Sequence, residues 1–501
     1  MVVNVFPVHI EGGYTVYRKK WRVLLLVLAL VMVLALTGCQ QPGEPAGVEA
    51  EVVETDVVVI GGGGAGLAAA VTAGEHGAEV ILLEKMPMLG GNTLRSGCAY
   101  NAVDPERQSK QGIEDSIDLH FQHTYEGGDK KGDPELIRIL VENALDGLHW
   151  LESLGCEFKD EVYTVLGALW PRSHTNVEPL GTGYISALEN GAKEQGVEIY
   201  LETKAEELLL EDGRITGVRA VDSDGKELIF KARKGVVLAT GGFAANVEMR
   251  SQYNPKLGPE IPTTNHPGAT GDGILMAEQV GAEFVGMEYI QLLPTGDPEN
   301  GSLAGWLAPG VDQMIYVNKE GKRFVAEDER RDVMTNALFE QTDAWMYVVS
   351  DAKSVWEVTS FGETEEQLVE MGKVLKADTL EELAEKIDVP ADALVETVAR
   401  YNEAVENNHD PDFGKELLGY KIDEPPFYAS PRVPTVHHTM GGVKIDTEAK
   451  VIGKDGNPIP GLYAAGEVTG GIHGTNRLGG NAIADIIVFG RIAGESAANS
   501  K

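Results

Sequence analysis

Glycines at 61, 63 and 66 and an acid at 84 form the first pattern in the chain that could do chemistry, and that chemistry is the holding of a dinucleotide. Gly61 permits a tight turn, Gly63 lets the backbone approach a pyrophosphate, and Gly66 lets a helix pack closely on a strand. The N-terminus of that helix offers unpaired N–H groups to phosphates. Glu84, 23 positions after the first glycine, is placed to accept hydrogen bonds from a ribose hydroxyl.

The elements that must hold these residues are readable around them. The run 55–60 is apolar and Val-rich, as a strand buried on both faces should be, and 67–73 consists of strong helix formers. The run 79–83 reads as a second strand that ends at Glu84. Two later strands lead into turns of the same kind, 235–238 into Ala239-Thr240-Gly241-Gly242 and 461–464 into Gly466-Glu467. This pairing favours FAD over NAD, because two-dinucleotide-domain flavoproteins resemble it. Helical periodicity runs through 134–154, and 198–224 alternates like a strand meander. There is no internal repeat.

The chain has 501 residues, 42 Lys+Arg against 78 Asp+Glu, and a formal net charge of −36. That balance argues against nucleic acid or an anionic membrane surface as the main partner. Hydrophobic residues at 43% and charged residues at 24% are those of a folded chain. Three cysteines exclude a disulfide scaffold. Near the start, Arg18, Lys19, Lys20 and Arg22 precede fourteen apolar residues, 23–36, and then Thr37-Gly38-Cys39. The run is shorter than the ~20 residues of a membrane span. It resembles a bacterial lipoprotein signal with Cys39 as the lipidated residue; an uncleaved membrane anchor is the alternative. Either places the body of the protein outside the cytoplasmic membrane, lipid-anchored in the first case.

Further segments extend the likeness over most of the chain: Gly90-Gly91-Asn92-Thr93, Gly321-Lys322-Arg323-Phe324, His437-His438-Thr439-Met440-Gly441-Gly442 and His473-Gly474-Thr475-Asn476-Arg477-Leu478-Gly479-Gly480-Asn481-Ala482. With the glycine fingerprint they resemble the FAD-dependent flavoprotein of the fumarate reductase/succinate dehydrogenase family, and within it the soluble periplasmic flavocytochrome c fumarate reductases and urocanate reductases. The resemblance implies an α/β fold, an FAD-binding Rossmann-like domain of the two-dinucleotide-binding type with an inserted α+β capping domain. Beyond the signal over 1–38 and a linker over 39–51, it implies FAD-domain pieces over 52–287 and 440–501 and the cap over 288–439.

The resemblance also assigns residues. Gly61, Gly63, Ala65, Gly66, Glu84, Lys85, Gly91, Asn92, Thr93, Ser96, Gly97, Ala239, Thr240, Gly241, Asp272, His438, Glu467, Asn481, Ala482 and Ile483 would bind FAD. No His stands between Gly90 and Tyr100, so the flavin is expected to be noncovalent. The family adds hydride to the carbon β to a carboxylate and a proton to the α carbon. Arg477 and His437 are the expected carboxylate clamp, Arg331 the expected proton donor, and Leu293 and Thr295 line the far side of the substrate. Arg330 and Arg331, in an acid-rich stretch, also read as a solvated ion-pair cluster, and the two histidines as core residues.

Leu293 departs from the family, which has His there for a second carboxylate, so fumarate is not the expected substrate. An unsaturated acid with one carboxylate and a less polar far end fits better. The acidic relay to Arg331 is also missing from its place, with Asp312, Glu327 and Asp332 as replacements. No metal site is expected. No Cys-x-x-Cys-His haem site is present, so electrons are expected from a separate cytochrome or FMN-bearing protein. Two other readings stand beside this one: a dehydrogenase desaturating a ketosteroid-like or acyl substrate on the same scaffold, and a binding lipoprotein without turnover.

Overall fold

A computed structural model describes residues 51–501, except Cys98, Ala308, Pro309, Trp356 and Ser360. The expected signal segment and Cys39 lie outside the described residues.

The first strand, β1 (Glu51–Ile60), is the axis of an eight-stranded sheet. Its second half, Val57–Ile60, is buried and pairs in parallel on both sides. One neighbour is β2 (Val80–Leu83) and the other β6 (Glu227–Leu238); β3 (Glu198–Tyr200) continues the parallel edge beyond β2. The strand begins earlier than its apolar run because Glu51–Thr55 also pair with β6, across a register shift before Val57. Between β3 and β6, β4 (Thr203–Glu211) and β5 (Arg214–Asp222) form the expected meander, antiparallel throughout and attached to β6.

Helix α1 (Gly64–Glu75) leaves the end of β1 and packs under the last helix, α4 (Asn481–Ala498), while α2 (Pro134–Ser153) lies against α4 as well. Small residues make that crossing close: a Cβ on Gly494 would stand 2.2 Å from the Ala69 carbonyl oxygen. Such an approach excludes water and buries an almost wholly aliphatic core.

The second sheet has five strands: β7 (Ile290–Gly296), β8 (Ile315–Asn318), β9 (Met346–Asp351), β10 (Leu375–Ala377) and β11 (Phe427–Thr439). The order is β7-β11-β9-β8, with β10 also on β11. One face carries Ile315, Val317 and Val349 against the helices Leu380–Ile387 and Ala391–Asn407. The other carries Tyr316, Met346 and Val348 against Met334 and Leu338 of α3 (Arg331–Phe339). After β11 the chain returns to the first sheet through β12 (Lys450–Ile452) and β13 (Pro458–Ala464), and β13 pairs in parallel with β6.

The turn between β1 and α1 leaves no room for change. A Cβ on Gly66 would stand 1.8 Å from the Gly61 carbonyl oxygen. Gly66→Ala is therefore expected to cost about 3 kcal/mol of stability and to yield protein with far less bound flavin, read from the ratio of flavin to protein absorbance and from the melting temperature.

Candidate active site

A cavity opens at the carboxyl ends of β1, β2 and β6. Helix α1 starts at its floor, with Gly63 as an extended N-cap. A Cβ on Gly63 would meet only the Gly90 carbonyl oxygen, at 3.9 Å, and one on Gly91 or Gly241 would meet nothing within 4 Å. Bare backbone thus faces open space where a pyrophosphate needs close N–H donors. Glu84 is fixed at the end of β2: one carboxylate oxygen accepts from the Gly62 N–H at 2.7 Å and the other from the Met86 N–H at 2.8 Å. Lys85 pairs with Asp272 at 2.7 Å and donates to Thr270. Burial pushes the Asp272 carboxyl up, but the bonds and charge of Lys85 outweigh it and hold it below its ordinary value. These groups fit FAD: a helix N-terminus and glycine backbone for the phosphates, and an oriented carboxylate for a ribose.

Thirteen of the expected cofactor residues line this cavity: Gly61, Gly63, Ala65, Glu84, Lys85, Gly91, Asn92, Thr93, Ala239, Thr240, Gly241, Asp272 and Glu467. Seven do not. Gly66 faces the β1 turn. The Ser96 hydroxyl donates back to the Thr93 carbonyl, and Gly97 lies outside the cavity wall. Asn481 is the clearest correction, because its side chain turns into the interior. Its Oδ1 receives Asn101 Nδ2 at 2.8 Å and His120 Nε2 at 3.1 Å, and its Nδ2 donates to Thr124. Ala482 and Ile483 lie in the first turn of α4, with Ile483 in the core. His438 is buried edge-on to His473, 3.7 Å from Glu467. Sequence reasoning missed Thr203, Lys204 and Ala205, as well as His266 and Gly268, which also line the cavity. The Thr203 N–H donates to the Glu84 carbonyl, so these residues arrive by a long-range parallel pairing that no local pattern announces.

The residues expected to react come together elsewhere in the fold. Arg331 opens α3 and is buried. Its Nε and Nη2 donate to the Leu166 carbonyl, and its Nη1 to Gln291 Oε1 at 3.2 Å. Gln291 then donates to Asn476 Oδ1 and to the Arg477 carbonyl, both at 2.8 Å. One amide on β7 thus ties Arg331 to the loop that carries Arg477. Arg477 is buried too, donates only to the Leu478 carbonyl at 3.3 Å, and leaves its Nε without a partner. Among the described residues neither guanidinium makes an ion pair. Arg330, by contrast, forms the solvated cluster, with Asp129 at 2.6 Å and Asp332 at 2.9 Å.

His437 is set by a β-bulge. Gln291 pairs with His438 and Leu292 with Val436, so His437 is the extra residue of β11. Its Nδ1 lies 2.8 Å from the Thr264 hydroxyl. Burial first, then the charges of Arg477 and Arg331, hold the imidazole far below its ordinary value, so the ring is neutral. Where Thr264 donates to Nδ1, Nε2–H is the free donor. Burial and then the charge of Arg477 hold the Arg331 guanidinium well below its ordinary range. Burial brings Arg477 down to about 10, against the pull of Glu467 and Asp485. Glu467 itself is pushed up by burial, with Thr439 and Asn92 bonding its carboxylate. Leu293 and Thr295 are buried on the same strand as Gln291, and the Thr295 hydroxyl has no partner. Such a site can grip a carboxylate, polarise what is conjugated to it, and deliver a proton.

Comparisons with known proteins agree with the fold and with FAD as the cofactor. The family model described as FAD binding domain matches residues 56–483. The chain is 42% identical to the NADH:acrylate oxidoreductase of Vibrio harveyi over 89% of its own length and 50% of that protein's. It is 40% identical to the urocanate reductase of Eggerthella lenta (91% of this chain, 76% of the relative). It is also 40% identical to the cytochrome-type fumarate reductase of Shewanella frigidimarina (88% and 77%). The chain spans about half the length of the acrylate and fumarate oxidoreductases that accept electrons from NADH. The open conformation of a flavocytochrome c3 fumarate reductase superposes with a TM-score of 0.72 at 36% identity, covering 89% of this chain and 78% of that one.

The buried histidines carry a pH signature. Burial takes His120 down to about 3, and His437 and His438 are lowered as well. The unfolded chain then binds more protons below its own value of ~6.5, so stability present above that pH is lost as pH falls, by ~1.4 kcal/mol per unit and per histidine. The melting temperature of the flavin-loaded protein is expected to drop between pH 7 and pH 5, and His120→Gln to flatten that drop; equal slopes would contradict it.

Proposed function

We propose, for a chain that belongs to the FAD binding domain family and is an FAD-dependent oxidoreductase of the fumarate reductase type, that it reduces the C=C bond of an α,β-unsaturated carboxylate. The observation that carries this reading is the pair of buried guanidinium groups, Arg331 and Arg477, linked through Gln291 and lacking any carboxylate partner among the described residues. A buried cation left without a counter-ion is costly, and an anionic substrate supplies one.

Bound FAD supplies the hydride. The chain supplies the rest. Arg477 and the neutral His437, through Nε2–H, hold the substrate carboxylate and draw electron density away from the alkene, which opens the β carbon to attack. Negative charge grows towards the carboxylate as the bond is reduced, where these donors already point. Arg331 then protonates the α carbon. An arginine is an unusual acid, its ordinary value being above ~12. Burial and the neighbouring charge of Arg477 weaken its hold on the proton, and Gln291 and Leu166 fix its direction.

Leu293 sets the substrate class. An isobutyl group cannot pair with a second carboxylate, and burying that charge unpaired costs several kcal/mol. A monocarboxylate with a less polar tail therefore fits, and fumarate does not. A separate electron donor and a lipid-anchored place outside the cytoplasmic membrane complete the proposal, supported by the apolar run before Cys39 and by the lack of a haem motif.

The test is anaerobic reoxidation of the viologen-reduced protein by a panel of unsaturated acids. Alkyl or aryl enoates are expected to reoxidise the flavin, with fumarate at least about 100-fold slower in kcat/KM, and Leu293→His to raise the fumarate rate. Arg331→Ala is expected to lower kcat by about 1,000-fold or more while flavin content is unchanged. Fastest turnover with fumarate, or an active Arg331→Ala protein, would overturn the respective assignment.

A further inference from the structure

The loop that carries Arg477 is seated on a short turn, where the helix Ile117–Gly127 ends and α2 begins. The Thr475 N–H donates to the Gly128 carbonyl at 3.1 Å, and the Asp133 N–H to the Gly471 carbonyl at 2.6 Å. Asn476 Nδ2 donates to the Gly127 carbonyl at 3.2 Å. The two backbones touch: a Cβ on Gly128 would stand 2.4 Å from the His473 carbonyl oxygen. Asp129, next in the turn, is left-handed at φ 55, a conformation that Asp and Asn tolerate better than other side chains.

Asp129 grips in two directions. Its Oδ2 accepts from the Thr475 hydroxyl. Both oxygens also take Arg330, Oδ1 from Nη1 at 2.6 Å and Oδ2 from Nη2 at 3.1 Å. That two-pronged geometry holds a guanidinium in position and in direction. Arg330 is pinned within its own segment as well, since Nε and Nη2 donate to Asp332 at 3.0 and 2.9 Å. Arg330 immediately precedes Arg331, the first residue of α3, and Thr475 stands two residues before Arg477. One carboxylate thus holds a close chain neighbour of each buried arginine.

These bonds close a ring. Arg331 donates to Gln291, Gln291 to Asn476, and Asn476 to Gly127. From Gly127 the turn leads to Asp129, across to Arg330, and along the chain back to Arg331. A closed circuit fixes each member against the others, and cutting one link leaves slack. The Asp129 link differs from the Gln291 link in one respect. The hydrogen bonds of Arg331 weaken when its guanidinium gives up a proton, whereas Asp129 and Arg330 stay charged. The Arg330 bond, then that of Thr475, brings the Asp129 carboxyl down to about 2, and Asp129 in turn raises the guanidinium of Arg330. For folding the pair counts for little, because Arg330 is 26% and Asp129 49% exposed.

We propose that Asp129 is a positioning residue for the reduction, its carboxylate tying the start of α3 to the loop of Arg477 so that proton donor and carboxylate clamp keep their spacing through the proton transfer. The inference rests on the reading of Arg331 and Arg477 as donor and clamp. Asp129 itself takes no part in the bonds that form and break.

Asp129→Asn, Arg330→Gln and the double variant, each loaded with flavin, are the test. Each single change is expected to lower kcat about 10- to 100-fold, since a displacement of ~1 Å suffices for that. KM for the enoate should stay within about threefold, and the solvent deuterium isotope effect on kcat should grow. The double variant should be no slower than the slower single one, because both changes remove the same link. Flavin content should be unchanged and the melting temperature held within about 2 °C. Asp146→Asn, which opens the exposed Arg491–Asp146 pair at 2.7 Å, should leave kcat as it is. Wild-type kcat in either single variant overturns the proposal, as do losses that multiply in the double variant or an equal loss in Asp146→Asn. So does a kcat loss accompanied by a larger fall in melting temperature, which marks a merely structural role. If no enoate reoxidises the wild-type flavin, the parent reading fails, and crystal structures of the flavin-loaded wild-type and Asp129→Asn proteins decide this one. A distance between Arg331 Cζ and Arg477 Cζ that changes by about 1 Å or more supports the tie, and a smaller change overturns it.

Discussion

Repulsion between two cations in a dry place is the constraint around which the rest is arranged. Arg331 and Arg477 are both buried, and the charge of Arg477 makes Arg331 harder to keep charged. Carbonyl oxygens and one amide hold them, and these orient a guanidinium without neutralising it. The site keeps its electrostatic deficit until an anion arrives. A carboxylate placed between the arginines would give a more stable protein and a blocked one, which is the usual exchange of stability for readiness at functional sites.

The scaffold that bears this strain is ordinary. A parallel sheet with an aliphatic interior, helices joined through small residues, and a second sheet under its own helix supply rigidity. Three irregular features lie where side chains must be aimed: the positive-φ turn at Gly61, the bulge that singles out His437, and the helix start at Arg331. Gln291 is the shared tie, because one neutral side chain bonds both the Arg331 guanidinium and the backbone that carries Arg477.

Much of the cofactor cradle was legible from residue order, since a strand, a glycine turn, a helix and an acid are consecutive and the physics that joins them is local. Glu84 and Gly66 stand as their types require. What stayed hidden was whatever depends on partners far along the chain. Asn481 looked like a cofactor ligand but answers to Asn101, His120 and Thr124. Thr203 to Ala205 reach the cavity only because the chain after β3 crosses the end of β2. Glu327, offered as a replacement for the missing relay acid, is saturated by Arg323 and Lys415.

Strand β11 runs unbroken for 13 residues, from the middle of the second sheet to the bulge at His437. At ~3.3 Å per residue that is about 40 Å of extended chain, paired with β9 along its first half and with β7 along its second. One strand thus serves both ends of the second sheet, and the backbone that closes the pairing with β9 also carries the imidazole of His437.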